Sequence, residues 1–337
     1  METIGIVGTG IYIPENRMSA KEIAEKTNGN WTEENIIKKL GILEKPIPSL
    51  KDGTQEMGAL AALDALKNTG IDPKSIDLII SIGEEWKEYP LTTTAIYIQD
   101  RIGAINAWGI DFQQRCATTI SAMKIAKDMM SSDKSINTVM IAGGYRNGDF
   151  VDYKDPQMSM MYNLSAGGGA IILKKGWNKN LLLGSHIMTD GSMALDAGVV
   201  YGGTTNPITS DNLDEAYTSL KLMNSEHMKS RLNDVSMPNW LLCIDKALEK
   251  SECSRKDIDY LGVLHFKRSM HEYLLNELEL KDNQTIYLQE YGHMGQVDQI
   301  LSLHLANERG LLEGKKTVAL IAAGIGYAWA AGIIRWG

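Results

Sequence analysis

The chain has 337 residues, 44% of them hydrophobic and 23% charged, with a formal net charge of −8. This is the composition of a globular protein large enough for two domains or one doubled one. The acidic balance excludes a broad basic face for nucleic acid, and no apolar run reaches the length of a membrane span. Three cysteines (Cys116, Cys243 and Cys253) fit neither a disulfide framework nor a zinc spacing, so a reducing cytoplasm is the expected compartment.

Residues 1–8 are expected to enter a strand at once, with no charged and apolar leader-like stretch. Gly5-Ile6-Val7-Gly8-Thr9-Gly10 has the wrong order for a dinucleotide fingerprint, and Pro14 stands where the helix would run. Small residues there suit close packing of backbones. Residues 62–83 read helix, turn, strand. Residues 107–116, closed by Cys116, read as a strand with a short elbow, and residues 117–130 carry an amphipathic helical period. A Gly-ended apolar strand is predicted at 138–144, then a polar loop over 145–162. Met158-Ser159-Met160-Met161 in that loop either fills core or lines a flexible pocket, and core filling is the expectation. Gly167-Gly168-Gly169 lies in a turn that precedes an apolar strand rather than a helix, unlike a phosphate loop. Residues 191–217 read as loop, and 226–250 as helix with Pro238 as a break.

The remainder repeats what came before. Residues 242–265 again read helix, turn, strand, with Asp259 answering Asp77 and His265 answering Gly83. A strand at 285–289 precedes His293, which opens a segment leading to a strand at 317–324, just as Cys116 opens the segment leading to 138–144. Two similar α/β halves are implied, with helices covering strands that are apolar on both faces. Ligands of such sheets lie beyond the carboxyl ends of the strands, where the repeat puts Cys116, His265 and His293. A thiol at a helix start faces unpaired N–H groups that favour the thiolate, although burial as a structural cysteine is the commoner fate. His265 and His271 lie six apart with no carboxylate to complete a metal site.

Taken together, these pieces resemble the β-ketoacyl-acyl carrier protein synthase III family of the thiolase superfamily. The resemblance rests on Gly8-Thr9-Gly10-Ile11-Tyr12-Ile13-Pro14, Asn30-Trp31-Thr32 before Leu40-Gly41-Ile42, and Tyr89-Pro90 ahead of a helix. It continues through the Cys116 elbow, Thr189-Asp190-Gly191-Ser192, Val263-Leu264-His265, Tyr291-Gly292-His293 and residues 323–329. It covers nearly the whole chain. It implies a thiolase-like five-layer αβαβα fold of two pseudo-duplicated halves, here 1–175 carrying the cysteine and 176–337 carrying both histidines.

The resemblance further implies an acyltransferase. An acyl-CoA or acyl carrier protein thioester would acylate Cys116, and condensation with a malonyl-type thioester would give a 3-oxoacyl product. His265 and His293 would be the catalytic histidines, and the backbone N–H groups of Cys116 and Ile325 the oxyanion hole. Trp31, Tyr89, Lys267, Arg268 and Gly324 become candidates for substrate binding, Tyr89 through a homodimer interface. No metal or redox cofactor is called for, and the partners expected are acyl carrier protein or acyl-CoA, with no nucleic acid and no membrane.

The chain departs from the family pattern at several positions. His293 stands where the family has Asn, Phe266 and Arg268 stand for Gln and Asn, and Ala166 replaces an acidic residue. A neutral, well-aimed imidazole at 293 would keep the second hydrogen-bond donor to a developing enolate. As a base, His293 would suit transfer to an alcohol or amine, and condensation without decarboxylation is a further variant. A silent acyl-binding or scaffolding homologue is the alternative of another class.

Overall fold

The computed structural model describes residues 2–337. Nine main strands and six main helices carry the architecture. In chain order they are β1 (Ile4–Tyr12), α1 (Thr54–Thr69), β2 (Leu78–Ser81), α2 (Thr94–Ile102), β3 (Trp108–Asp111), α3 (Thr118–Ser132), β4 (Thr138–Tyr145), β5 (Gly167–Lys175), β6 (Leu181–Thr189), α4 (Ser225–Glu249), β7 (Tyr260–Val263), α5 (Arg268–Glu277), α6 (Asp298–Glu308), β8 (Lys316–Gly324) and β9 (Ala328–Trp336).

The strands run in the order β7-β8-β9-β6-β1-β5-β4-β2-β3. This order is two copies of one pattern. In the first, β1 pairs antiparallel with β5, β5 antiparallel with β4, and β4 parallel with β2, which is parallel to β3. In the second, β6, β9, β8 and β7 repeat the same directions. One residue pair, Gly5 with Leu181, joins β1 to β6. Even the side-chain ties repeat. Asp77 accepts the N–H of Thr138 at 2.9 Å, and Asp259 accepts that of Thr317 at 2.9 Å.

The copies differ at one edge. The strand expected over 285–289 is not formed; Thr285 alone bridges Leu261, at the place that β3 fills in the first half. Tyr287 explains part of this, because its hydroxyl donates to the carbonyls of Phe266 and Leu40 and pulls the segment away from β7. The break expected at Pro238 is also missing. α4 runs unbroken from 225 to 249, with Pro238 on its exposed face. Burial of Trp240, Cys243, Ile244 and Ala247 against β6 and β9 outweighs the lost backbone bond.

Helices α3 and α6 lie between the two half-sheets and touch strands of both, while α1 covers β1, β5 and β4 on one outside and α4 covers β6 and β9 on the other. These are the five layers. The central position explains why every residue of α6 from Asp298 to Ala306 is buried. α1 sits unusually close to its sheet. A Cβ on Gly10 would lie 2.2 Å from the backbone nitrogen of Ala65, and one on Gly168 would lie 2.1 Å from the carbonyl oxygen of Met57. Among the described residues no helix is long and apolar enough to cross a membrane.

Candidate active site

Cys116 sits in a single 3-10 turn, Arg115–Ala117, between β3 and α3. The turn is tight enough to place Arg115 at φ +51°, a left-handed conformation unfavourable for a side chain of that size. Local bonds hold it there. Gln114 donates its N–H to Thr118 Oγ1 at 2.8 Å, and the same hydroxyl donates to the Arg115 carbonyl. The guanidinium of Arg115 reaches Glu84 at 3.0 Å and Glu85 at 3.1 Å. Behind the turn lies Gly324, at the end of β8, where a Cβ would come within 3.1 Å of the Cys116 nitrogen and 2.8 Å of the Gln114 carbonyl. Only a glycine lets β8 bring the Ile325 main chain onto the elbow.

His293 reaches the same spot from the second half. Its Nε2 lies 3.1 Å from Cys116 Sγ, and its Nδ1 lies 2.6 Å from Asp298 Oδ2. Burial alone would lower the His293 pKa, but the sulfur of Cys116 and the carboxylate of Asp298 together raise it well above an ordinary imidazole. His265, two residues past the end of β7, is tied to the same carboxylate by its backbone N–H, at 2.8 Å. Its ring is differently placed. Asn163 Nδ2 lies 3.1 Å from Nδ1, and the Gly41 carbonyl lies 3.2 Å from Nε2. Burial pushes His265 down to about 4. The two imidazoles are thus pushed in opposite directions, His293 up and His265 down, the division that acid and base roles require.

Cys116, His265 and His293 line one cavity of about 710 Å³ between the halves. Ile325 lines it too. Its apolar wall includes Met160, Met161, Met237, Trp240 and Phe266, so half of the Met158–Met161 cluster faces the cavity while Met158 is core. The five candidate substrate-binding residues do not line it. Trp31 packs edge-on to Tyr162, with centroids 6.2 Å apart. Tyr89 is 71% exposed on the outer surface. Lys267 is exposed at the start of α5, and Arg268 lies 4.4 Å from the Tyr287 ring and bonds Gln289 Oε1 at 2.9 Å. Gly324 supports the elbow from behind.

Four polar residues of the site escape sequence reasoning: Asp298, Asn163, Glu84 and Tyr145. Asp298 lies five residues after His293, across a 3-10 turn, a spacing that carries no periodic signal. Glu84 follows Gly83 just beyond β2, the position matching Phe266 in the repeat, and this is the one signal that could have found it. Burial raises the Glu84 carboxyl despite its bond to Arg115, and burial with the neighbouring Cys116 sulfur raises the Tyr145 phenol. Among the described residues no group of three or more His, Cys, Asp or Glu is arranged to hold a metal ion.

Comparison with known proteins agrees with this fold. Residues 110–191 match the family model for 3-oxoacyl-[acyl-carrier-protein (ACP)] synthase III, and residues 248–336 match that for its C-terminal part; together they span just over half of the chain. Beta-ketoacyl-[acyl-carrier-protein] synthase III of Clostridium acetobutylicum is 26% identical over 340 residues, covering 100% of this chain and 99% of the relative. That of Clostridium tetani is 27% identical over 344 residues, covering 99% and 98%. The crystal structure of 3-oxoacyl-[acyl-carrier-protein] synthase III from Aquifex aeolicus superposes with a TM-score of 0.85 at 20% identity, covering 99% and 100%. The priming beta-ketosynthase of the R1128 polyketide pathway gives 0.84 at 20%, covering 99% and 96%.

Proposed function

Because the chain belongs to the 3-oxoacyl-[acyl-carrier-protein] synthase III family of the thiolase superfamily, we propose that it is an acyltransferase that condenses thioesters through an acyl-Cys116 intermediate. The observation that carries the proposal is the 3.1 Å approach of His293 Nε2 to Cys116 Sγ at the wall of a 710 Å³ cavity. The thiol proton passes to His293, and the sulfur attacks the carbonyl of an acyl-CoA or acyl carrier protein thioester. The oxyanion is received by the backbone N–H groups of Cys116 and Ile325, which Gly324 brings together. The thiol of coenzyme A or phosphopantetheine leaves with the proton. His293 then takes up one proton from solvent, a malonyl-type thioester loses carbon dioxide, and its enolate attacks acyl-Cys116 to give a 3-oxoacyl product and the Cys116 thiolate beside the imidazolium. These steps need no metal or redox group.

The proton inventory refines the histidines' part. With Asp298 holding the Nδ1 proton, neutral His293 presents a bare Nε2, so it donates to an enolate oxygen only as the imidazolium. In this reading the donor to the enolate is the imidazolium rather than the neutral imidazole. The same bare Nε2 favours a second reading, in which His293 takes a proton from an alcohol or amine and the acyl group passes to oxygen or nitrogen.

The functional unit in this reading is a homodimer working in the cytoplasm. Strand β3 is one edge of the sheet and carries Trp108 at 47% and Ile110 at 45% exposure, with Ile96, Ile105 and Tyr89 exposed near it in the chain. A free apolar edge of this kind calls for a partner strand.

Incubation with acyl-CoA followed by intact-mass measurement tests the proposal. An acyl adduct absent from Cys116→Ala supports it, and no adduct with any thioester overturns it. Carbon dioxide release from malonyl thioester selects condensation. Acyl transfer to added alcohol or amine without carbon dioxide selects the second reading.

A further inference from the structure

Asp298 holds a carboxylate with no solvent exposure at all at the first position of α6. Oδ1 accepts the N–H of Met294 at 2.7 Å, and Oδ2 accepts both the N–H of His265 at 2.8 Å and Nδ1 of His293 at 2.6 Å. A buried carboxylate is tolerated only when hydrogen-bonded and compensated in charge. The helix start supplies part of that compensation. Among the described residues no lysine or arginine pairs with Asp298, and His293 is its only ion-pair partner. On its far side His293 meets one sulfur.

We infer that Asp298 is a positioning residue that acts through His293, holding its ring with Nε2 on Cys116 and favouring the imidazolium–thiolate form of the Cys116–His293 pair. The transfer is a single proton, from Cys116 Sγ to His293 Nε2, while the Nδ1 proton stays between His293 and Asp298. The resulting row is anion, cation, anion, and a carboxylate behind an imidazolium stabilises it more than an amide would. Other groups face the pair. From β4, the ring of Tyr145 lies 6.1 Å from that of His293 and is un-ionised at neutral pH. From the end of β7, His265 is neutral. From beyond β2, the Glu84 charge is met by Arg115. None of these supplies the compensation that Asp298 supplies. The relation also explains why this chain has His at 293. An Asn there could donate to a substrate but could not take the thiol's proton.

This inference rests on Cys116 as the reactive sulfur, not on any acyl substrate. The test therefore uses iodoacetamide on the full-length chain, with Cys116 labelling followed by peptide mass from pH 5 to 9. In Asp298→Asn the midpoint of labelling, which belongs to the pair rather than to either residue, should rise by about one pH unit, and the rate at pH 7 should fall about tenfold. In the His293→Asn background, adding Asp298→Asn should change the rate less than about twofold, because the route through the imidazole is already gone. An equal fall in both backgrounds assigns Asp298 to holding the fold and overturns the inference. If Asp298→Asn does not fold, His293→Asn and Asp298→Glu decide. A shifted midpoint in the first and a retained one in the second support the relay, and an unshifted midpoint in His293→Asn overturns it. A protein that labels as expected but accepts no acyl thioester would overturn the proposed activity and leave this inference standing.

Discussion

Asn163 places its side-chain amide 3.1 Å from Nδ1 of His265 and also reaches the His265 carbonyl at 3.4 Å. An amide N–H donates, so Nδ1 must accept, and the His265 proton sits on Nε2. The backbone of Asn163 serves the other histidine, its carbonyl accepting the N–H of His293 at 2.8 Å. One loop residue therefore sets the tautomer of one imidazole and the main chain of the next.

Acid should weaken the fold earlier than its carboxylates alone would. His265 and His271 are both pushed down to about 4 by burial, and neither ring nitrogen of His271 has a partner. Between pH 6.5 and 4 the unfolded chain binds these two protons and the folded chain does not, so stability falls as pH falls across that window, by about 3 kcal/mol for each. His293, whose pKa is raised, opposes this with stability that is full at low pH and lost only as pH rises through its folded value. Urea denaturation at pH 7 and pH 5 measures the difference. His271→Phe should roughly halve the acid loss, and an unchanged loss would contradict the assignment.

Lys45 is fully buried below the loop that carries Asn163. Its Nζ donates to the carbonyls of Tyr162 and Leu164, at 2.7 and 2.5 Å, and to Tyr153 Oη at 2.7 Å. Lys45→Met removes all three bonds and should lower stability by about 2–4 kcal/mol. Burial also pushes the Lys45 pKa down to about 7. From pH 7 upward the unfolded chain keeps a proton that the folded chain gives up, so the native protein gains stability towards pH 9. The gap between native protein and Lys45→Met should therefore be wider at pH 9 than at pH 7 in paired denaturant titrations.

Gly324→Ala pushes a methyl against backbone on both the Gln114 and the Cys116 side, where no side chain can move aside. Overpacking of this kind costs about 1–3 kcal/mol. The larger effect should fall on the elbow, with Cys116 acylation slowed at least about tenfold while the far-ultraviolet circular dichroism spectrum is retained. Acylation at the native rate would show that the elbow does not depend on this close approach.

A lysine at the β3 edge should separate the subunits of the proposed homodimer. Trp108→Lys or Ile110→Lys puts charge where a second β3 would pair, and light scattering should move from dimer to monomer. A native protein that is already monomeric at micromolar concentration would remove the homodimer from the proposal.

What could be read in the chain beforehand follows from how local each signal is. Helix–turn–strand repeats at 62–83 and 242–265 are written in contiguous apolar periods, and they return as α1–β2 and α4–β7. The elbow at Cys116 is equally local, a strand end followed within a few residues by a helical period. The segment 285–289 has a strand's composition but lacks the pairing, because Tyr287 takes its hydrogen bonds elsewhere. Asp298 and Asn163 were invisible for a different reason. Their meaning lies in the histidines they touch, and for Asn163 and His265 that contact closes a loop of 102 residues. Pro238 misleads because an exposed proline in a long helix anchored elsewhere is a local defect, not a terminus.

Among the described residues, Gly5–Leu181 is the only strand pairing between the half-sheets. The sulfur belongs to one half and both imidazoles to the other, so the three groups meet only when the halves are packed together. Carrying both halves on one chain makes that meeting intramolecular and independent of protein concentration.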